Sequence, residues 1–374
     1  MTYAYYLVIL SKIIYWFLLF LVFYTFAGYP LFLASIYIFK KKKPQDRPEY
    51  FPHVSLVILA GNDRKTIAAK LDNCLNLEYP KEKLEIIVAA IDSTDNTRGV
   101  VEDYFRKGVK LLFQAEKKSG SMAVNCVVSE AKGEVVVITD AVSIIEKYSL
   151  KNMARHFADK NVGLVAGNIA IANKGKNPLV EGEKTFLGLE RAVLLASSKL
   201  KRIISVNPEL YALRKSDFKV LKDDGVDVRT ALPVMFSSAK KDCLYEPLAQ
   251  AERTINTDTE INLEGKTAAT VKALDSAKYV KELFNAKRYF TLLQLISVDL
   301  LYGAYGVLLL LFFLYNLTML QKPGYIVFFS VQFLFYVAGA LKLWPFAYYV
   351  TFSAYAHIAG LVRLIKRERL NGKS

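Results

Sequence analysis

Carboxylate and amide side chains recur in this 374-residue chain directly after short β-branched runs. Asn62 and Asp63 follow VSLVILA (Val54–Ala60), the cluster Asp92, Ser93, Thr94 and Asp95 comes at the end of EIIVAAID (Glu85–Asp92), and Asp140 closes EVVVITD (Glu134–Asp140). Each has a chemical and a plainer reading. Asp140 can hold a ligand, or cap a following helix by accepting orphan amide hydrogen bonds. Asp92–Asp95 can meet a nucleotide or simply build a turn. Lys117 and Lys118 are a phosphate clamp or a solvated loop charge. Arg229 on a surface helix, and Glu183 and Arg191 as helix-surface pairs, are the plain readings of those three. Cys74, Cys126, Cys243 and His53, His156, His357 are scattered in no metal-ligand spacing, which argues against a zinc site or a disulfide framework.

A sheet must position these groups. Through about Pro44–Phe290, continuous apolar runs alternate with amphipathic stretches, the pattern of strands covered by helices on both faces: an α/β, doubly wound, mostly parallel sheet. Ligands of such sheets sit beyond the carboxyl ends of strands. Chemistry is therefore expected at Gly61–Lys65, Ile91–Asp95, Glu116–Ser121 and Thr139–Ser143. A helix is predicted over Asn177–Leu200 and a short strand edge at Tyr245–Ala249. A second helix, Tyr279–Ile296, is predicted to lie at a headgroup surface with Lys278, Lys281, Lys287 and Arg288.

Apolar residues make up 53% of the chain, and the mean hydropathy is +0.22. No charged residue interrupts Ile13–Phe39, Leu300–Gln321, Pro323–Leu341 or Leu343–Val362, each close to the roughly 20 residues that span a bilayer as helix. The net charge of +15 gathers beside these stretches, at Lys40–Lys43 and at Arg363, Lys366, Arg367 and Arg369. Such flanking cations mark the cytoplasmic side and attract anionic headgroups, so membrane lipids are expected partners and nucleic acid is not. A retained anchor, kinked at Gly28–Pro30, would start outside. The number of crossings is then odd, and one of the last three apolar stretches should be interfacial or re-entrant. The predicted organisation is an anchor over 1–43, a cytosolic domain over 44–277, an interface helix over 278–298 and a C-terminal transmembrane region over 299–374.

The anchor ending GYPLFL (Gly28–Leu33), the sheet, NPLVEGEKTFLGLER (Asn177–Arg191), LYALRK (Leu210–Lys215), LYEPLA (Leu244–Ala249) and QLIS (Gln294–Ser297) follow in an order that resembles a membrane-bound family 2 glycosyltransferase. That group contains processive polysaccharide synthases and glycolipid-extending enzymes. The resemblance implies a GT-A fold with one N-terminal and two to three C-terminal transmembrane helices. It also implies cell-surface glycan or glycolipid assembly at the cell membrane, and a nucleotide-sugar bound by Asn62, Asp63, Asp92, Asp95 and Asp140. In such sites a carboxylate near the second strand end reads the donor base. Two carboxylates one residue apart hold a divalent cation, and a further carboxylate deprotonates the acceptor.

The chain departs from that pattern at each position. Leu59-Ala60-Gly61-Asn62-Asp63 stands where Pro-Ala-Tyr-Asn-Glu is usual, and Ile91 takes the base-reading place, with Asp92 displaced by one. Asp140-Ala141-Val142 replaces Asp-Ala-Asp, which leaves Asp140 as the single metal-ligand candidate. The acidic pair of the base motif falls on Val228 and Arg229, so Asp227, one residue out of register, and Arg229 are the remaining catalytic candidates. Glu260–Ala269 carries no Gln-x-x-Arg-Trp. The expectation is a catalytically impaired pseudoenzyme without a cofactor, working with an active glycosyltransferase or a glycan exporter through the terminal spans and the Tyr279–Ile296 helix. The alternative is an active, metal-independent or otherwise altered transferase. Its acceptor would be a lipid phosphate and its cation Lys117, Lys118 or Arg229; Mg or Mn would accompany the nucleotide-sugar only if the site is active. A transporter component is disfavoured by the few spans and their lack of charge.

Overall fold

The computed structural model describes residues 2–39, 49–114, 120–173, 176–222 and 226–366. Lys40–Lys43, Lys117, Lys118, Arg367 and Arg369 lie outside the described residues. The chain opens with α1 (Thr2–Phe23) and α2 (Tyr29–Phe39), joined by a π-turn at Tyr24–Gly28. Pro30 accounts for the turn: it has no N–H for the carbonyl of Phe26, and the Tyr29 N–H bonds to Tyr24, five residues back. The kink expected at Gly28–Pro30 takes this form.

The middle of the chain alternates as predicted. It runs β1 (Val54–Ala60), α3 (Ile67–Leu75), β2 (Leu84–Ile91), α4 (Thr97–Glu102), β3 (Val109–Gln114), α5 (Gly120–Glu130), β4 (Val135–Asp140) and the two-residue β5 (Ile144–Ile145). It continues with α6 (Ser149–Ala154), β6 (Val162–Ile171), α7 (Pro178–Lys199), β7 (Leu210–Arg214), α8 (Val228–Ser238), β8 (Asp242–Arg253) and α9 (Thr259–Asp275). Eight strands form one mixed sheet in the order β3-β2-β1-β4-β7-β6-β8-β5. β1 to β4 pair in parallel and so do β6 and β8, whereas β7 runs antiparallel to both neighbours. Leu56 and Ile58 of β1 pack with Ile67, Leu71 and Cys74 of α3, and Val57 packs with Val124 and Val127 of α5. Burial on both faces is why β1 reads as an apolar run broken only by Ser55. α7 starts where Asn177 accepts from the Leu179 N–H (2.9 Å), with Pro178 in the first turn.

Two expected elements differ. Tyr245–Ala249 is no short edge; it lies within the twelve-residue β8, between β6 and β5. Glu246 pairs with Gly167 and Gln250 with Asn168, so Pro247–Ala249 bulges where Pro247 has no amide to offer. The helix predicted over Tyr279–Ile296, and the 278–298 segment drawn around it, is two elements. α10 (Tyr279–Asn285) stops where Lys287 turns left-handed (φ 56°). There the Arg288 N–H reaches the Leu283 carbonyl at 2.9 Å and the Lys287 N–H reaches that of Phe284 at 3.0 Å. α11 (Tyr289–Gln294) then runs through a second π-turn, Leu295–Leu300, into α12 (Leu301–Thr318). Hydrophobic periodicity carried across Lys287 although the backbone does not.

Among the described residues, three helices are long and apolar enough to cross a membrane: Ile9–Phe39, Tyr289–Thr318 and α13 (Pro323–Ala340). One is N-terminal and two are C-terminal, an odd total. The last apolar stretch forms α14 (Pro345–Ile365), which does not join them and docks on α7, α9 and α12. A Cβ at Gly182 of α7 would strike Pro345 and Tyr349, and one at Gly306 of α12 would strike Ala354. Glycine at these crossings lets the helices approach closely.

Candidate active site

The carboxyl ends of β1, β2 and β4 lie side by side: Ala60 pairs with Ala90, and Leu59 with Asp140. Asn62 Oδ1 accepts from the amides of Thr94 (2.8 Å) and Asp95 (3.2 Å), which ties the loop after β1 to the loop after β2. Asp95 accepts from the N–H groups of Thr97 (2.9 Å) and Arg64 (3.1 Å) and from the Ser93 (3.2 Å) and Thr97 hydroxyls. Against the opposing effect of burial, these donors hold its pKa down at about 2. Asp63 Oδ2 accepts from the Gly61 N–H at 2.8 Å; burial raises its pKa, reinforced by the neighbouring charges of Asp140 and Asp95. Asn62, Asp63, Asp95 and Asp140 thus come together. Asp92 stays outside their network: it sits in left-handed backbone (φ 52°) and has no hydrogen bond or ion pair among the described residues. Ile91 packs on the core that holds α5, so no carboxylate occupies the base-reading place.

Asp140 Oδ1 accepts from the Ser143 N–H (2.9 Å) and from the Ser143 hydroxyl. The cap foreseen for Asp140 is real, but it closes a turn into β5 and not a helix. Val142 is 44% exposed. One engaged carboxylate with an aliphatic side chain two residues on does not fit a divalent ion held by protein oxygens. Among the described residues no group of three His, Cys, Asp or Glu could hold one. Beneath Asp140 lies the fully buried Lys70. Its Nζ donates to Thr139 Oγ1 (2.8 Å) and to the Ser143 carbonyl (2.6 Å). Burial lowers its pKa while Cys74 and Asp140 pull the other way.

A cavity of about 470 Å³ lies between α7, α8, α9 and two of the spans. Both π-turns contribute to its wall, the first through Thr25 and Phe26 and the second through Val298 and Asp299. Tyr24 Oη and Ser297 Oγ join the two turns at 2.8 Å. Phe186 stacks on Tyr302 and Tyr349 with ring centroids 5.1 and 5.5 Å apart, forming an aromatic wall. On the polar side, Asp227 caps α8 by accepting from the Arg229 N–H (3.1 Å) and takes Arg229 Nη2 at 2.7 Å. Burial opposes its ionisation, but Arg229 holds the Asp227 carboxyl below the usual carboxylate range. Glu183 receives Arg253 at 3.0 Å and Lys266 at 3.4 Å, and Arg253 also reaches Glu209 at 3.1 Å. Glu190 faces the same space, and burial raises its pKa against the pull of Arg229.

The catalytic candidates are therefore placed but engaged. Asp227 and Arg229 line the cavity and bind each other, so Arg229 is neither a surface charge nor a free cation. Glu183 is buried in the wall, not paired on a helix surface. Arg191 donates to the Ile169 carbonyl at 2.6 Å. Lys70, Glu190 and Glu209 were missed. Glu190 left a trace in the sequence: Glu183, Phe186, Glu190 and Val193 recur at helical spacing, so an acid shares a stripe with apolar residues. Glu209, in a loop, left none.

The sheet, with its strand ends gathered at one edge, has a GT-A-type fold. A mannosyltransferase of Pyrobaculum calidifontis, solved in complex with GDP-Man and Mn²⁺, shares the fold at a TM-score of 0.72 and 20% identity, covering 94% of this chain and 99% of that one. Residues 55–218 match the Glycosyl transferase family 2 model. A beta-monoglucosyldiacylglycerol synthase of Nostoc is 29% identical over 143 residues, covering 37% of this chain and 31% of the synthase. A poly-beta-1,6-N-acetyl-D-glucosamine synthase of Staphylococcus epidermidis is 28% identical over 190 residues, 46% of each. The matched parts are less than half the length of these two relatives.

Proposed function

We propose that the protein transfers a sugar from a nucleotide-sugar, bound at the carboxyl ends of β1, β2 and β4, to a lipid-linked acceptor that reaches the cavity from the bilayer. The observation that carries this reading is the position of the cavity. Its walls come from two candidate spans as well as from α7, α8 and α9. Glu209 connects it to the strand ends, since its carbonyl accepts from Thr139 Oγ1 at 2.8 Å, beside Asp140, while its carboxylate holds Arg253 in the cavity wall. The relatedness to a glycolipid synthase and a polysaccharide synthase supports a lipid or glycan acceptor. In this reading the soluble domain and the C-terminus face the cytoplasm, on the side of the flanking cations.

The pseudoenzyme reading keeps one observation in its favour, the lone carboxylate of Asp140 beside exposed Val142. In it the chain would serve an active transferase or a glycan exporter. The two readings part in one experiment on the full chain in lipid nanodiscs, supplied with UDP- and GDP-sugars and mixed glycerolipids. Nucleoside diphosphate released only when lipid is present, with a matching glycolipid product, is the expected result. Absence of both nucleotide-sugar binding and transfer, with an intact transferase co-purifying from native membranes, favours the pseudoenzyme.

A further inference from the structure

Three cations line the cavity among the described residues, and each is already matched. Arg229 is held by Asp227, Arg253 by Glu183 and Glu209, and Lys266 by Glu183. Two more carboxylates face the same space. Asp299 accepts from Thr230 Oγ1 at 2.6 Å. Glu190 has no hydrogen bond or ion pair with any described residue.

Among the described residues a phosphate ester brought here would meet no unmatched cation and an unmatched carboxylate, and its desolvation would go uncompensated by them. A hydroxyl group suits the same place, because an ionised carboxylate is an acceptor only and a hydroxyl supplies the proton. We propose that Glu190 is the general base of the transfer and that the acceptor presents a lipid-borne hydroxyl, on glycerol or a sugar, not a phosphate. This inference rests on the transferase reading above.

In the step, Glu190 takes the proton of the acceptor hydroxyl as that oxygen forms its bond to the anomeric carbon of the donor. The bond from the anomeric carbon to the diphosphate oxygen breaks, and its electron pair leaves with the nucleoside diphosphate. Asp227, the acid nearest the expected register, is the weaker base. Hydrogen bonds from the Arg229 amide and guanidinium occupy its oxygens and stabilise its charged form, and a base so stabilised has little driving force to take a proton. Glu190, by contrast, sits where burial strengthens its hold on a proton. Phe186, one turn earlier on α7, presents with Tyr302 and Tyr349 the flat apolar faces that an acyl chain or a sugar ring can pack on.

The test uses the full chain in nanodiscs, the nucleotide-sugar found by screening, and three acceptors: diacylglycerol, monoglucosyldiacylglycerol and phosphatidic acid. For Glu190→Gln, which keeps the shape of the side chain, transfer to a hydroxyl acceptor is expected to fall by about 10² to 10⁴-fold. Nucleotide-sugar affinity, read by calorimetry, should stay as in the wild type and show that the variant is folded. Glu190→Asp should retain more activity than Glu190→Gln. Wild-type rates in Glu190→Gln, or wild-type transfer to phosphatidic acid alone, would overturn the inference and leave the transferase reading standing. A wild-type protein that binds no nucleotide-sugar and transfers to none of the three would sink that reading, and the role of Glu190 with it.

Discussion

At the carboxyl ends of β1, β2 and β4 the side chains of Asn62, Asp63, Asp95 and Asp140 are engaged by backbone amides and hydroxyls and only Asp92 stands apart, whereas in the cavity it is Glu190, among three matched cations, that is left over. Asn62 holds the loop after β2, Asp95 gathers four donors, and Asp140 caps its own turn. These groups shape what the transferase reading makes the donor end, while offering few free oxygens to a metal or a nucleotide. Across Glu209, the cavity has matched cations and an unmatched Glu190. A fold of this kind owes its stability to the sheet, so chemistry can shift between neighbouring surfaces without loss of the scaffold. The contrast teaches that eroded strand-end motifs alone do not establish an inactive site.

The largest expected effect lies beneath the donor end. Lys70→Ala removes a buried cation that satisfies Thr139 and Ser143 and leaves a void under Asp140. It should destabilise the protein by about 3 kcal/mol, read as a lowered unfolding midpoint in detergent. Lys70→Met should cost less, because an apolar side chain of similar length replaces the buried charge. Equal stability of Lys70→Ala and wild type would show that the donor end does not depend on that contact.

Restoring a carboxylate would make the two regions more alike. Val142→Asp should tighten nucleotide-sugar binding about tenfold when Mn²⁺ is present, about 1.4 kcal/mol, and EDTA should reverse the gain in a titration. No response to metal would mean that more than this ligand is missing. A smaller change is expected at the clamp between the loops. Asn62→Ala removes the acceptor shared by Thr94 and Asp95 and should cost about 1 kcal/mol, with faster amide exchange at both positions as the direct readout.

The subtlest effect is one of pH. The folded-state pKa of Asp95 is depressed to about 2, so its contribution is complete above the unfolded carboxylate value of about 3.9. It is lost as pH falls through about 2. Asp95→Asn should therefore flatten the acid limb of the stability curve below about pH 4, measured by unfolding midpoints at successive pH values. An unchanged acid limb would mean that the Asp95 network is not retained in solution.

Much of this architecture could be read directly from residue order. Val54–Ala60 is a strand as written, because burial on both faces demands a nearly continuous apolar run, here interrupted only by Ser55. Asn177-Pro178 marks the start of α7, because a cap and a proline serve the same unsatisfied amides. The acids at Asp63, Asp95 and Asp140 stand at adjacent strand ends, since parallel strands bring their carboxyl ends to one edge. Other features were hidden. The stop at Lys287 depends on a left-handed lysine that no glycine announced. The docking of α14 depends on glycines in α7 and α12, far away in the chain.

By itself the sequence determined the membrane-length apolar stretches, the alternating sheet and the edge where Asp63, Asp95 and Asp140 gather, since period and burial are local properties of neighbouring residues. Only the tertiary structure decided which acid is free. Asp227 meets its partner two residues away, but Glu183 finds Arg253 and Lys266 on β8 and α9, and no described residue forms a hydrogen bond or ion pair with Glu190. Whether a carboxylate is bound or available depends on what distant segments bring beside it, and that is settled when the helices pack.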